Sequence, residues 1–399
     1  MAKTVFDIDE LTEVDLEELI AALTPLTDNQ IEEKYSNLSF RVIYQSNNYF
    51  LPQIKDLIKN KEVINLRPEY QRRQRWTNTQ KSLLIESLLL NIPVPPVFFY
   101  ESDLARYEVM DGQQRLNAIH EFMENSFKLS GLEKLDFLNK RQYNELPPKV
   151  RRGLERASIS AIILLRETKS DEQDPFLVRR YVFERLNTGG KPLNAQEMRN
   201  SLYRGPFNET IISLTRNATF CKIFGIPQYA EVDENEYYEN PARQKNNLYR
   251  TMGDCQIVLR FFALKDEQYI RGSMKEILDS CMDRNKNIAE NELQNLRGEY
   301  VELIESCEKI FGEETFLLPP DDKGNRRISI ALYDAIMVSL SKRRPLITKY
   351  VEEKEKVTAK VVDVLQNPAK MALLVGKANT SQAIKDRIST IGEIFDELN

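Results

Sequence analysis

The sequence predicts an α+β domain followed by a mostly α-helical one, and three observations carry that prediction. Short β-prone runs alternate with amphipathic stretches up to about residue 205. Beyond that point nearly every segment repeats its apolar residues at helical spacing. The 399 residues show no internal repeat, and the length suits two domains with a sizeable core. The expected division is an acidic helical lead at 1–35, an α+β domain at 36–205 and a helical domain at 206–399.

The elements follow in order. Leu16, Leu19, Ile20 and Leu23 give the lead one amphipathic helix. Phe40 to Tyr44 alternates like a strand. Leu51 to Lys59 reads as a helix with Ile54, Leu57 and Ile58 on one face, and Val63 to Leu66 as a short strand stopped by Pro68. Thr77 caps the next helix, where Lys81, Leu84, Ile85, Leu88 and Leu89 follow at helical spacing. Ile92 to Pro96 cannot continue a helix. It links into a buried strand, Val97 to Tyr100; the chain turns at Leu104 to Arg106 and returns as a strand from Tyr107 to Met110. Ile159 to Leu165 is a further strand. The pattern is helical from Asp174 to Leu186, broken at Asn187 to Pro192, and restarted by the capping-box sequence Asn194 to Glu197. Later helices are expected at 249–264, 273–284, 290–310, 329–341 and 381–398.

Composition excludes several classes. The net charge of −5 means the molecule as a whole does not attract nucleic acid, although basic segments at Arg67 to Arg75 and Lys140 to Arg156 offer local positive faces. No apolar stretch reaches the length of a membrane span and no secretory signal opens the chain, so a cytoplasmic protein without membrane partners is expected. Cys221, Cys255, Cys281 and Cys307 contain no close pair, which argues for scattered buried thiols over a zinc site. The only histidine, His120, rules out two-histidine zinc helices, and by itself reads as a surface or core residue.

Three constellations carry chemistry. In Asp111-Gly112-Gln113-Gln114-Arg115, a strand turns sharply into a helix at a glycine. Backbone N–H groups at a helix start favour an anion, most naturally phosphate, and Arg115 suits a fork onto phosphate oxygens. Gln113 and Gln114 suit hydrogen bonds to ligand oxygens or to a water. Asp111 has two readings, an N-cap paired with Gln114 in a capping box or a Mg²⁺ ligand beside phosphates. Pro68 to Trp76 interleaves Tyr70 and Trp76 with Arg72, Arg73 and Arg75. That mixture suits base stacking and phosphate pairing, or equally a pair of core aromatics among solvated arginines. Phe183 to Asn200 contains Asn187, Thr188, Gly189, Gly190 and Lys191, a backbone rich in N–H groups that is either a phosphate cover or an ordinary link between helices.

Taken as an ordered set, Tyr70-Gln71-Arg72 with Trp76, Leu84 to Leu89, Ile92 to Pro96, Asp111 to Leu116, and Leu186 to Gly190 before Leu193, Asn194 and Glu197 strongly resemble the N-terminal domain family of GmrSD-type restriction endonucleases. The resemblance covers about residues 45–205. It implies a ParB/sulfiredoxin-like fold, binding and hydrolysis of an NTP with Mg²⁺, and a role in bacterial restriction or anti-phage defence. It implies that Asp111, Gln113, Gln114 and Arg115 are the catalytic group, with Asp111 on Mg²⁺. Gly112, Tyr70, Gln71, Arg72 and Asn187 to Lys191 would surround the nucleotide. Arg73, Arg75, Trp76, Arg151 and Arg152 are the expected contacts to DNA. Longer members of the family end in a His-Asn-His nuclease domain, and with His120 as the only histidine that domain's chemistry is missing here. Any nicking of DNA would then centre on the Asp111–Arg115 turn, or cutting would fall to a separate nuclease or ATPase subunit. A homodimer is a further expectation from ParB-like relatives. The rival reading is a non-catalytic nucleotide- or DNA-binding module that relies on such a subunit.

Overall fold

The computed structural model describes residues 26–36, 42–60, 62–66, 76–165, 181–183, 185–186, 193–203, 205–228, 240–320, 323–375 and 380–398. The expected helix at Leu16 to Leu23 lies outside them. The described chain opens with α1 (Asp28–Ser36), which buries no residue.

A five-stranded mixed sheet organises the N-terminal region. Its strands are β1 (Tyr44–Phe50), β2 (Ile64–Asn65), β3 (Val97–Asp103), β4 (Arg106–Asp111) and β5 (Ser158–Leu164), in the order β1-β5-β3-β4-β2. β1 runs antiparallel to β5 and β3 antiparallel to β4, whereas β3 and β5 are parallel, as are β2 and β4. The first strand corrects the sequence reading. Of the expected run at Phe40 to Tyr44, Phe40 and Arg41 lie outside the described residues, and the strand begins at Tyr44 and extends to Phe50, pairing Tyr44 with Leu164 and Phe50 with Ser158. The reason is that β1 is an edge strand carrying exposed Gln45, Ser46 and Asn48 and half-buried Asn47, so it has no apolar alternation to read.

Period-2 alternation divides the sheet between two cores. Val97 and Phe99 of β3, Val109 of β4 and Ile159, Ala161 and Ile163 of β5 face α2 (Leu51–Lys59), α3 (Asn78–Leu89) and α4 (Gln113–Met123). A fourth helix, α5 (Pro148–Arg156), adds Leu154 to that core. Phe98, Tyr100, Met110 and Leu164 face the other way and join the core of the helical region. The α3 start is as the sequence suggests: the Thr77 hydroxyl accepts from the Gln80 N–H and Gln80 returns to the Thr77 backbone.

The helical region contains α6 (Ala195–Leu202), α7 (Pro206–Leu214), α8 (Gly253–Leu264), α9 (Met274–Arg284), α10 (Glu290–Phe311), α11 (Ile330–Ser341), α12 (Lys354–Gln366) and α13 (Ser381–Asp396), with shorter helical turns between them. The expected continuous helix at 249–264 is broken. Met252 adopts the left-handed conformation (φ 55°) while fully buried, so a short helix at Asn247–Arg250 ends and α8 starts afresh. All four cysteines are buried thiols. Among the described residues no helix is long and apolar enough to cross a membrane.

Two buried carboxylates anchor the two halves. Glu86 on α3 accepts backbone N–H bonds from Glu133, Lys134 and Leu135 at 3.2, 2.7 and 2.7 Å. Burial alone would raise its pKa, but these donors outweigh it and hold the carboxyl below its ordinary value. In the helical core, Asp334 on α11 is fully buried and takes a two-point bond from Arg260 on α8, while the Arg387 guanidinium of α13 lies 4.0 Å away.

Glu86→Gln is expected to cost roughly 1.5–3 kcal/mol in urea unfolding at neutral pH. Because the folded pKa is depressed, the carboxylate's contribution is complete above the unfolded carboxylate pKa and disappears as pH falls through the folded one. The wild type should therefore lose stability on acidification more steeply than Glu86→Gln. Asp334→Asn, which takes the carboxylate away from the buried Arg260, is expected to cost roughly 3–5 kcal/mol by the same measurement.

Candidate functional site

The Asp111–Arg115 turn sits where β4 ends and α4 begins. β2 is the parallel neighbour of β4, so both strands deliver their carboxyl ends to the same edge of the sheet. That edge is the usual location of ligand sites in parallel α/β arrangements. β2 runs out at Leu66 into the basic segment 67–75, which lies outside the described residues, and the chain re-enters at Trp76. Leu66 and Trp76, the described residues on either side of that segment, thus lie against the α4 start although about 40 residues separate them from it in sequence.

Just before the turn, Phe98 pairs with Asp111 but Phe99 pairs with Val109, so Met110 is an extra residue in β4. This bulge turns the strand end, leaves the Asp111 side chain 53% exposed and sends Met110 into the helical core. Gly112 follows as the helix N-cap with φ 96°. A Cβ there would lie 2.5 Å from Val97 Cγ1, so the position needs glycine both for its conformation and for its closeness to β3. Asp111 does not cap α4, which corrects one of its two readings: the N-cap is Gly112 and no side chain caps the helix. Instead Asp111 Oδ2 accepts from Arg115 Nη2 at 2.7 Å, one helical turn on. The same nitrogen donates to the Pro96 carbonyl at 3.1 Å, and the Arg115 side chain is only 15% exposed. Among the described residues no group of three or more His, Cys, Asp or Glu is arranged to hold a metal ion. Asp111 would therefore be a single carboxylate for Mg²⁺, which suffices only if phosphates and water supply the other ligands.

The two glutamines have a role that the sequence did not suggest. Gln113, which is buried, donates its Nε2–H to the Leu66 carbonyl at 2.9 Å. Gln114 Oε1 accepts from the Trp76 backbone N–H at 3.2 Å. Adjacent residues at the start of α4 therefore hold both ends of segment 67–75. The Trp76 ring is half-buried and packs on the α2–α4 core, which is the structural role its sequence context also permitted.

Other expected site residues fall elsewhere. Tyr70, Gln71, Arg72, Arg73 and Arg75 lie outside the described residues, as do Asn187, Thr188, Gly189, Gly190 and Lys191. Asn194 caps α6 by accepting from Gln196 and Glu197 N–H groups, and Glu197 completes the capping box. The Asn194 Nδ2–H reaches the Thr251 carbonyl, which fastens this motif to the helical region. Arg151 and Arg152 lie on α5, half-buried and exposed respectively. His120 lies two turns into α4, with Nδ1 buried and unpartnered. Burial lowers its pKa, Glu124 opposes this, and Lys59 adds to the lowering.

A strand that turns through Gly112 into a helix start, with Leu66 and Trp76 fastened beside it, defines the candidate site of an α+β domain. Residues 54–204 match the family described as the GmrSD restriction endonuclease, N-terminal domain. The match takes in the Asp111–Arg115 turn, the Pro68–Trp76 segment and the Phe183–Asn200 segment. No curated protein and no solved structure matches the chain.

Gly112→Ala is expected to lower stability by more than about 1 kcal/mol, because the left-handed backbone and the Val97 clash act together. Thermal unfolding checks this, with Gly153→Ala, a site with open space around the added methyl, as the mild control.

Proposed function

We propose that this protein works in a bacterial restriction or defence system, binding an NTP at the Asp111–Arg115 turn and hydrolysing it to couple nucleotide state to DNA sensing or to a partner effector. The observation that carries the reading is the convergence of the α4 start with both ends of the arginine-rich segment through Gln113 and Gln114. The family match at residues 54–204 supports the restriction setting.

In this reading the first backbone N–H groups of α4 and the helix dipole hold phosphate oxygens. Arg115 balances charge on the transferred phosphoryl group, exchanging its bond to Asp111 for one to the ligand. Asp111, which is already half-exposed, would be the residue that holds the Mg²⁺ accompanying the nucleotide. Gln113 and Gln114 act as positioning residues through their bonds to Leu66 and Trp76; Tyr70, Gln71 and Arg72 would contact the nucleotide, and Arg73 and Arg75 the DNA. Arg151 and Arg152 would extend the DNA face, and the Asn187–Lys191 backbone would cover the phosphates. A separate nuclease or ATPase subunit supplies any cutting.

A second reading, a binding module without turnover, is favoured by the engagement of both glutamine amides, which removes the obvious residues for orienting a water. A hydrolysis screen across the four NTPs, with Mg²⁺ and with or without DNA, separates the two. The expected result is phosphate release from at least one NTP, lost on chelation of Mg²⁺. Arg115→Ala should reduce the rate by about 10²–10³-fold while far-UV circular dichroism stays unchanged. Saturable nucleotide binding with no turnover under any condition selects the second reading.

A further inference from the structure

The two edges of the sheet are not alike. β2 contributes only Ile64–Asn65 to one edge, and so short a strand offers little to pair with. β1 forms the other edge with seven residues, and among the described residues no strand lies beyond it. An edge of that length is ordinarily blunted by a charge, a proline or a bulge. β1 reads Tyr-Gln-Ser-Asn-Asn-Tyr-Phe, without a charge, a proline or a glycine, and its register with β5 runs unshifted from Tyr44 to Phe50.

The phase of the hydrogen bonds shows which residues face outward. The Leu165 N–H donates to the Ile43 carbonyl and the Leu51 N–H to the Ala157 carbonyl, so the odd-numbered residues of β1 are those that bond β5. Tyr44, Ser46, Asn48 and Phe50 therefore turn their backbone groups to the open edge. Phe50 gives its N–H to the Gln53 side chain at the start of α2. The N–H and C=O groups of Ser46 and Asn48 stand at the middle of the edge.

The strand is complementary to itself. A two-fold axis through Asn47 sets a second copy of β1 alongside in antiparallel register, with Ser46 opposite Asn48 of the second copy and Tyr44 opposite its Phe50. These are the outward-bonding positions, and antiparallel residues in that phase exchange N–H···O bonds. Tyr44 and Phe50 are 63% and 51% exposed, and the pairing sets these aromatic side chains against each other at both ends of the strand. On the other face Gln45 meets Tyr49 and Asn47 meets itself. With no charge anywhere in β1, no like charges oppose one another.

We propose that β1 pairs with β1 of a second copy of this chain about an axis at Asn47, joining two five-stranded sheets into one continuous sheet. The pairing is independent of the nucleotide reading of the Asp111–Arg115 turn. A single strand pair is small beside the roughly 1,200–2,000 Å² of a stable interface, so the dimer is weak and concentration-dependent.

Sedimentation velocity of the full chain at up to about 100 μM, together with two cysteine variants, tests this. The expected result is a monomer–dimer equilibrium. Ser46→Pro removes only an outward N–H and leaves the ladder to β5 complete, so it should keep the unfolding temperature and weaken dimerisation about tenfold or more. Under mild oxidation Asn47→Cys should form a disulfide-linked dimer, because its Cα lies about 4.5 Å from its own counterpart in a non-hydrogen-bonded pair. Gln45→Cys is more exposed, yet it should not cross-link, because the axis holds the two copies of that position roughly 14 Å apart. The four native thiols are buried and add no background. A chain that stays monomeric overturns the proposal and leaves the edge to a strand of another protein. A dimer undiminished in a folded Ser46→Pro protein overturns it too, as does cross-linking of Gln45→Cys to the same extent as Asn47→Cys. Should Ser46→Pro fail to fold, the cysteine pair decides alone.

Discussion

The constraint on which the rest depends is a sheet buried on both faces. Neighbouring residues of one strand serve opposite cores: Val97 and Phe99 against Phe98 and Tyr100, and Val109 against Met110. A register slip of one residue in β3 or β4 would therefore exchange the contents of two cores at once. The bulge at Met110 is tolerable because it occurs at the strand's last residues, where it moves a methionine into the helical core and turns Asp111 toward solvent. The conformation of the candidate site is thus set by packing on both sides of the sheet.

Much of this was legible in the residues. The strands at Val97 and Tyr107, the Thr77 cap, the Asn194 capping box and the strand–glycine–helix turn all follow from local rules, because each is decided by side chains a few positions apart. β1 was misplaced because an exposed edge strand needs no apolar alternation. The break at Met252 was invisible because methionine carries no signal for a left-handed backbone, and tertiary burial imposes it.

The site was legible as a location and less so as a set of roles. Glycine at 112 was required for the reason the sequence suggested, a sharp turn with a close approach. The tethers from Gln113 and Gln114 could not be read, since their partners Leu66 and Trp76 lie 47 and 38 residues away and offer backbone atoms, which carry no residue-type signature. The Asp334 centre was missed for a related reason: Arg260, Asp334 and Arg387 come from three helices, and nothing local marks a charged residue as buried.

The glutamine tethers have a consequence for how such a domain can change. The two bonds reach main-chain atoms of Leu66 and Trp76, so they do not depend on which side chains those two positions carry. Each end is fixed separately, and lengthening a closed loop costs little, roughly 0.6 kcal/mol for each doubling. A change in the length of chain between those two anchor points is therefore compatible with an unchanged frame.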